Sequence, residues 1–249
     1  MSRRRGFPIS GGSIRLLLHV VRLLLLFYMR SYRYFPPLLV FLLGLMLLYV
    51  YPAKQAIPTY AASAVLVYFI SAWIAAGFMG AIHEAQEHIA AVHAGHVRRY
   101  LIGKTMAVFT CILLVCLAAM IYPVAADRFT NGISAGEWLT ALLAHLELAL
   151  LGGTAALVLN RTVIRNGSMA IFCLLLVLIV SIVRNGVLQA NGSGLAPLFM
   201  LLPPAAPVID WLMNADAPAG GGSVMVWIGP LVYGAVLYVI HLRIAERRM

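Results

Sequence analysis

Residues 97–128 read VRRYLIGKTMAVFTCILLVCLAAMIYPVAADR. Arg98, Arg99 and Lys104 precede an uncharged apolar run at 105–126, and Asp127 and Arg128 close it. A run of that length satisfies its backbone inside a bilayer as a helix, because lipid offers no hydrogen-bond partners. Outward in both directions the same pattern recurs, with apolar runs at 38–51, 59–81, 137–159, 168–187 and 224–242. The expected fold is an all-α polytopic membrane protein with six transmembrane helices in a single transmembrane domain, 1–249. Its composition agrees: 63% of residues are apolar and 10% charged, far from a soluble domain.

Charge sorts the connections between these runs. Of 18 Lys and Arg residues, Lys54, Arg128 and Arg184 fall on one side. The others gather at the N-terminus, at Arg98, Arg99 and Lys104, at Arg161 and Arg165, and at Arg243, Arg247 and Arg248. By the positive-inside bias, both termini and the connections at 83–104 and 160–167 are expected in the cytoplasm, with the chain in a cell membrane. The net charge of +10 follows from these flanks and from attraction to anionic lipid, so nucleic acid is not an expected partner.

Residues 13–34 are apolar but carry Arg15, His19, Arg22, Arg30 and Arg33. At 100° per residue Arg15, Arg22 and Arg33 share one stripe, which suits a helix lying in the interface rather than crossing. Pro36-Pro37 are expected to end that helix. The opening Ser2-Arg3-Arg4-Arg5-Gly6-Phe7 looks like a twin-arginine leader, yet Arg15 and Arg22 interrupt the apolar part and no cleaved signal is expected. Ala72, Ala76 and Gly80 make a small-residue ridge that lets another helix approach closely. Residues 197–213, broken by Pro203, Pro204 and Pro207, are expected to re-enter the outer leaflet before the last span.

Several short motifs fail on inspection. Gly103-Lys104-Thr105 lacks the earlier glycine of a phosphate loop, since Arg98 stands there. His83-Glu84-Ala85-Gln86-Glu87-His88 places its second imidazole one residue too late for a zinc protease. Gly132-Ile133-Ser134-Ala135-Gly136 has the spacing of a nucleophile elbow without a strand before it. Cys111, Cys116 and Cys173 lie in apolar runs and suggest neither disulfide nor zinc.

The fourth span carries the most chemistry. Thr140, Glu147, Thr154 and Arg161 recur every seven residues as one polar stripe. An intramembrane carboxylate is costly, so Glu147 is expected either protonated and hydrogen-bonded between helices or lining a substrate path or subunit interface. Ala141, Ala149 and Gly153 flank His145 on another face and suggest close helix packing. His145 and Glu147 point nearly opposite ways and form no catalytic pair.

The ordered layout, with its polar segment EAQEHIAAVHAGHVRRYLIGK at 84–104, resembles the type-2 ATP-binding-cassette exporter permeases along nearly the whole chain. The acidic start, short helix and terminal Gly-Lys resemble that family's coupling helix. The segment departs from the pattern in its histidines and in lacking a proline before Gly103-Lys104. The resemblance implies a permease subunit, not itself an enzyme, that exports an amphipathic substrate such as a peptide, lipid or drug. It implies that Glu84, Glu87, His88 and His93 face a cytoplasmic ATPase subunit, which carries the ATP and Mg. Arg98 and Arg99 would sit at the membrane interface, no cofactor would bind this chain, and a second permease copy or homologue would complete the pathway in membrane lipid. The alternatives are an intramembrane hydrolase using Glu147 or the His83–His96 cluster, and a non-transporting immunity or assembly factor.

Overall fold

The computed structural model describes residues 11–82, 84–160, 163–164, 166–191, 199–214 and 223–248, with only the backbone at 11–13, 84, 191, 223, 224 and 248. Among them the chain is all helical: α1 Gly11–Arg30, α2 Phe35–Leu48, α3 Ala56–Met79, α4 Glu84–His93, α5 Val97–Ala125, α6 Ala135–Val158, α7 Gly167–Asn191, α8 Ala205–Met213 and α9 Ser223–Arg248. Helices α3, α5, α6, α7 and α9 are each long and apolar enough to cross a bilayer. The pair α1–α2, bent by 80°, supplies a sixth crossing if counted as one span. The protein is an all-α, multi-pass membrane protein.

The first crossing differs from expectation. Helix α2 has 14 residues and begins at Phe35, so Pro36 and Pro37 sit in its first turn instead of ending α1. Proline is tolerated there because first-turn N–H groups have no intrahelical acceptor. The bend falls at Tyr32, whose φ of 55° lies in the left-handed region. At about 1.5 Å per residue α2 spans roughly 21 Å, short of a hydrocarbon core of about 30 Å. Helix α1 lays Leu24 and Tyr28 inward, fully buried, while Arg15, Arg22 and Arg30 stay exposed. It packs on the start of α5, where Val20 sits so close to Gly103 that a Cβ there would meet it at 2.8 Å.

The bundle is built around α6. In its apolar window 72% of residues are buried, against 17% in α7. Helix α6 packs most extensively on α3, where a Cβ on Gly152 would lie 2.2 Å from the Tyr68 carbonyl oxygen. The small residues expected to pack closely, Ala141, Ala149 and Gly153, are buried, but Gly153 lies against Ile112 and Phe109 of α5, and the approach to α3 is made by Gly152, which the spacing did not name. The Ala72–Ala76–Gly80 ridge on α3 receives no such helix and lines a cavity facing α7.

Helix α5 runs antiparallel to α3 and α6, which are parallel to each other, and the bundle has two ends. One holds Arg30, Arg33, the α4 turn and the tail of α9, and is here called the basic end. At the other, Ala53 and Phe129 form an isolated bridge, with Ala53 N donating to Arg128 O at 2.8 Å and Thr130 N to Ala53 O at 3.0 Å. Residues 199–213 fold back between spans near that end, and α8 packs on α3, α6, α7 and α9. Their proline-broken backbone is satisfied by side chains: Ser181 Oγ donates to the Pro203 carbonyl and Tyr233 Oη to Leu201 O at 2.6 Å. Ser181 lies well inside α7, so irregular backbone sits among helices, as a low-dielectric interior requires. Residues 197 and 198 of the expected re-entrant segment lie outside the described residues, as does the N-terminal Arg3–Arg5 cluster.

Candidate functional site

Helix α4 stands in the connection between α3 and α5 at the basic end, and a tight turn sets its angle. Gly95 takes φ 73°, a conformation that costs other residues a Cβ clash. His96 then caps α5, its Nδ1 accepting from Arg98 N at 3.1 Å. Arg99 reaches back and donates to Ala94 O at 2.8 Å. The third span therefore starts as a helix at Val97, eight residues before the apolar run at 105, because a histidine cap precedes the arginines.

The face of α4 toward α5 carries Glu87, Ala91 and the following Ala94. Glu87 is paired with Lys104, whose side chain is 4% exposed. The pair turns Glu87 toward α5. Lys104 is no phosphate-loop lysine, since Gly103, Lys104 and Thr105 lie within continuous helix. The opposite face of α4 holds Ala85, His88, Ile89, Val92 and His93, all exposed, with Ile89 at 59% and Val92 at 78%. His93 Nδ1 donates to the Ile89 carbonyl at 2.8 Å. The Glu84 side chain and His83 lie outside the described residues. Arg98 forms an ion pair with Glu246 at 3.6 Å, tying the start of α5 to the tail of α9.

The polar stripe of α6 is described at Thr140, Glu147 and Thr154. Thr154 donates to its own helix, at Leu150 O (2.7 Å), and Thr140 is half-buried. Arg161 lies outside the described residues. Glu147 is 4% exposed, and among the described residues its Oε2 has no hydrogen-bond partner. A carboxyl in that state is a receptive group: any donor that enters relieves the cost of burying it.

His145, two residues away, belongs to a chain the sequence did not reveal. Its Nδ1 donates to Ala141 O at 2.7 Å, which leaves Nε2 to accept from Ser63 Oγ at 3.0 Å. Tyr49 Oη donates in turn to Ser63 Oγ at 3.1 Å, and the Tyr60 ring stands edge-on to the imidazole. The chain joins α2, α3 and α6 by hydrogen bonds in an apolar setting, and every member is satisfied. Only the small residues around His145 hinted at it; its partners lie 82 residues upstream and further.

Ser134 is the N-cap of α6, not a nucleophile. Its N–H and hydroxyl donate to Glu137 Oε2 at 2.8 and 2.7 Å, and Glu137 N donates back at 3.3 Å, a full capping box. Among the described residues no group of three His, Cys, Asp or Glu is placed to hold a metal. Cys111, Cys116 and Cys173 are unbridged. Comparison of the chain with protein-family models, with curated proteins and with solved structures gives no match.

Proposed function

We propose that the chain is the membrane subunit of an ATP-driven transporter of the ATP-binding-cassette type, exporting an amphipathic substrate. A separate cytoplasmic ATPase, holding ATP and Mg, docks on the outward face of α4, and two permease subunits form the pathway. The observation that carries this reading is the two-sided construction of α4. Val92 faces outward from a ten-residue helix at the basic end, Ile89 is exposed beside a cavity shared with Leu16, Val20 and Leu23 of α1, and Glu87 ties the other face to Lys104 in α5. Apolar side chains on an otherwise polar connection suit a protein partner. Displacement of α4 by that partner passes through the ion pair and the Gly95 turn into α5, and through Arg98–Glu246 into α9. The spans then shift between two packed arrangements as rigid bodies. Glu147, buried with a free acceptor, is the group on α6 suited to meet a donor on the substrate or on the second subunit.

The test is affinity capture of the full-length chain from its native membrane, paired with an Ile89→Asp/Val92→Asp variant. The expected result is an ATPase captured with the unmodified chain and lost with the variant, and a thermal melt of the variant that matches the unmodified chain shows that the loss is not one of folding. The chain alone should turn over no ATP; sustained hydrolysis by the purified chain would overturn the proposal.

A further inference from the structure

A second site lies away from α4 and Glu147. Between α3 and α7 there is a cavity of about 460 Å³, within the range of small-ligand pockets. Its floor is buried Ala72, Leu174 and Leu178, and exposed Trp73, Ile171 and Leu175 form its rim. The cavity therefore opens sideways, toward the space that lipid tails occupy around α7. Along α3 it runs from Phe69 to Gly80, about 16 Å at 1.5 Å per residue, the scale of an acyl chain.

The lining is apolar except at one end. There Arg33 enters from the α1–α2 bend, beside Gly80. Its Nη1 lies 2.7 Å from where a Cβ on Gly80 would stand, so the glycine is what lets the guanidinium rest on the end of α3. The two ion pairs among the described residues, Glu87–Lys104 and Arg98–Glu246, leave Arg33 out. A cation at the polar end of a slot open to lipid matches one molecule, an anion joined to a long apolar tail. Guanidinium suits phosphate because it offers parallel donors.

We propose that this cavity binds an anionic phospholipid from the leaflet at the basic end, its phosphate on Arg33 and one acyl chain between α3 and α7. The ridge of Ala72, Ala76 and Gly80 then provides room for that chain. The site depends on neither an ATPase nor a transport cycle, so it stands apart from the proposed function.

Trp73 on the rim is a built-in probe. The full-length chain, with Trp138, Trp211 and Trp227 changed to Phe, is placed in bilayers containing phosphatidylglycerol or phosphatidylcholine with brominated tails. Brominated phosphatidylglycerol should quench Trp73 at about tenfold lower mole fraction, as a charge-assisted hydrogen bond implies. Arg33→Gln should abolish that preference, Gly80→Val should weaken it by moving the guanidinium, and Ala76→Phe should reduce quenching by filling the slot. Soluble glycerol phosphate should not relieve the quenching. Native mass spectrometry of the chain with all tryptophans retained, released from mixed bilayers, supplies a second readout. It should show retained phosphatidylglycerol on the unmodified chain and not on Arg33→Gln. Equal quenching by the two lipids, an unchanged preference in Arg33→Gln, or full competition by glycerol phosphate would each overturn the proposal.

Discussion

At the scale of single residues, Glu87 and Lys104 carry the sharpest expectation. Both are largely removed from solvent, so each charge is tolerated because the other is there. Removing one partner from a buried pair typically costs about 3–5 kcal/mol, whereas replacing both with apolar groups is often neutral. Glu87→Gln should therefore lower the melting temperature in detergent by about 10 °C, and Glu87→Leu/Lys104→Met should recover most of it. A Glu87→Gln protein that melts with the unmodified chain would show the pair to be idle. The sequence could not disclose this pairing. Glu87 sits on a polar helix and Lys104 at the head of an apolar run, and only the Gly95 turn folds one onto the other. His145 makes the same point, because its partner Ser63 comes from α3 and Tyr49, which bonds Ser63, from the C-cap of α2.

At the scale of elements, small residues have two different uses in this fold. On α6, Gly152 lies against the Tyr68 carbonyl, a backbone atom that cannot rotate away from an added Cβ. Gly136, in the first turn of the same helix, has nothing within 4 Å of its Cβ position. Gly152→Ala should force α3 and α6 apart and cause clear loss of thermal stability, at least several degrees. Gly136→Ala should be neutral or stabilising by up to about 1 kcal/mol, since alanine favours helix. Thermal melts of the two variants side by side check this, and comparable losses at both sites would refute the seam as described. Spacing on α6 pointed to close packing at Ala141, Ala149 and Gly153, not at Gly152 itself. Equivalent spacing on Ala72, Ala76 and Gly80 lines a cavity instead, because a four-residue repeat marks a face without naming what covers it. Helix starts were harder still: the Ser134 capping box and the His96 cap were readable residue by residue, but apolar runs obscured them as boundaries.

At the scale of the whole molecule, hydropathy and charge together made the all-α membrane fold legible, because each crossing must satisfy its backbone alone. Five of the helices that follow from the apolar runs are long enough to cross; the first run yields the short α2, since Tyr32 rather than Pro36 turns the chain. The proposed docking of an ATPase depends on one further property, which side of the membrane the basic end faces. The fold makes this a single question, because α5 crosses between the connections that carry Val92 and Asn131 and so puts them at opposite ends. Asn131 is exposed and donates to Lys54 O at 3.1 Å, so the loop it occupies is accessible from its own side. Val92 is exposed on α4. With Cys111, Cys116 and Cys173 changed to Ala, a membrane-impermeant maleimide on intact cells should label an Asn131→Cys variant. It should leave a Val92→Cys variant untouched until the membrane is opened. The reverse pattern would put α4 outside the cell, beyond reach of a cytoplasmic ATPase, and the transporter proposal would fail while the fold and the Arg33 cavity stood.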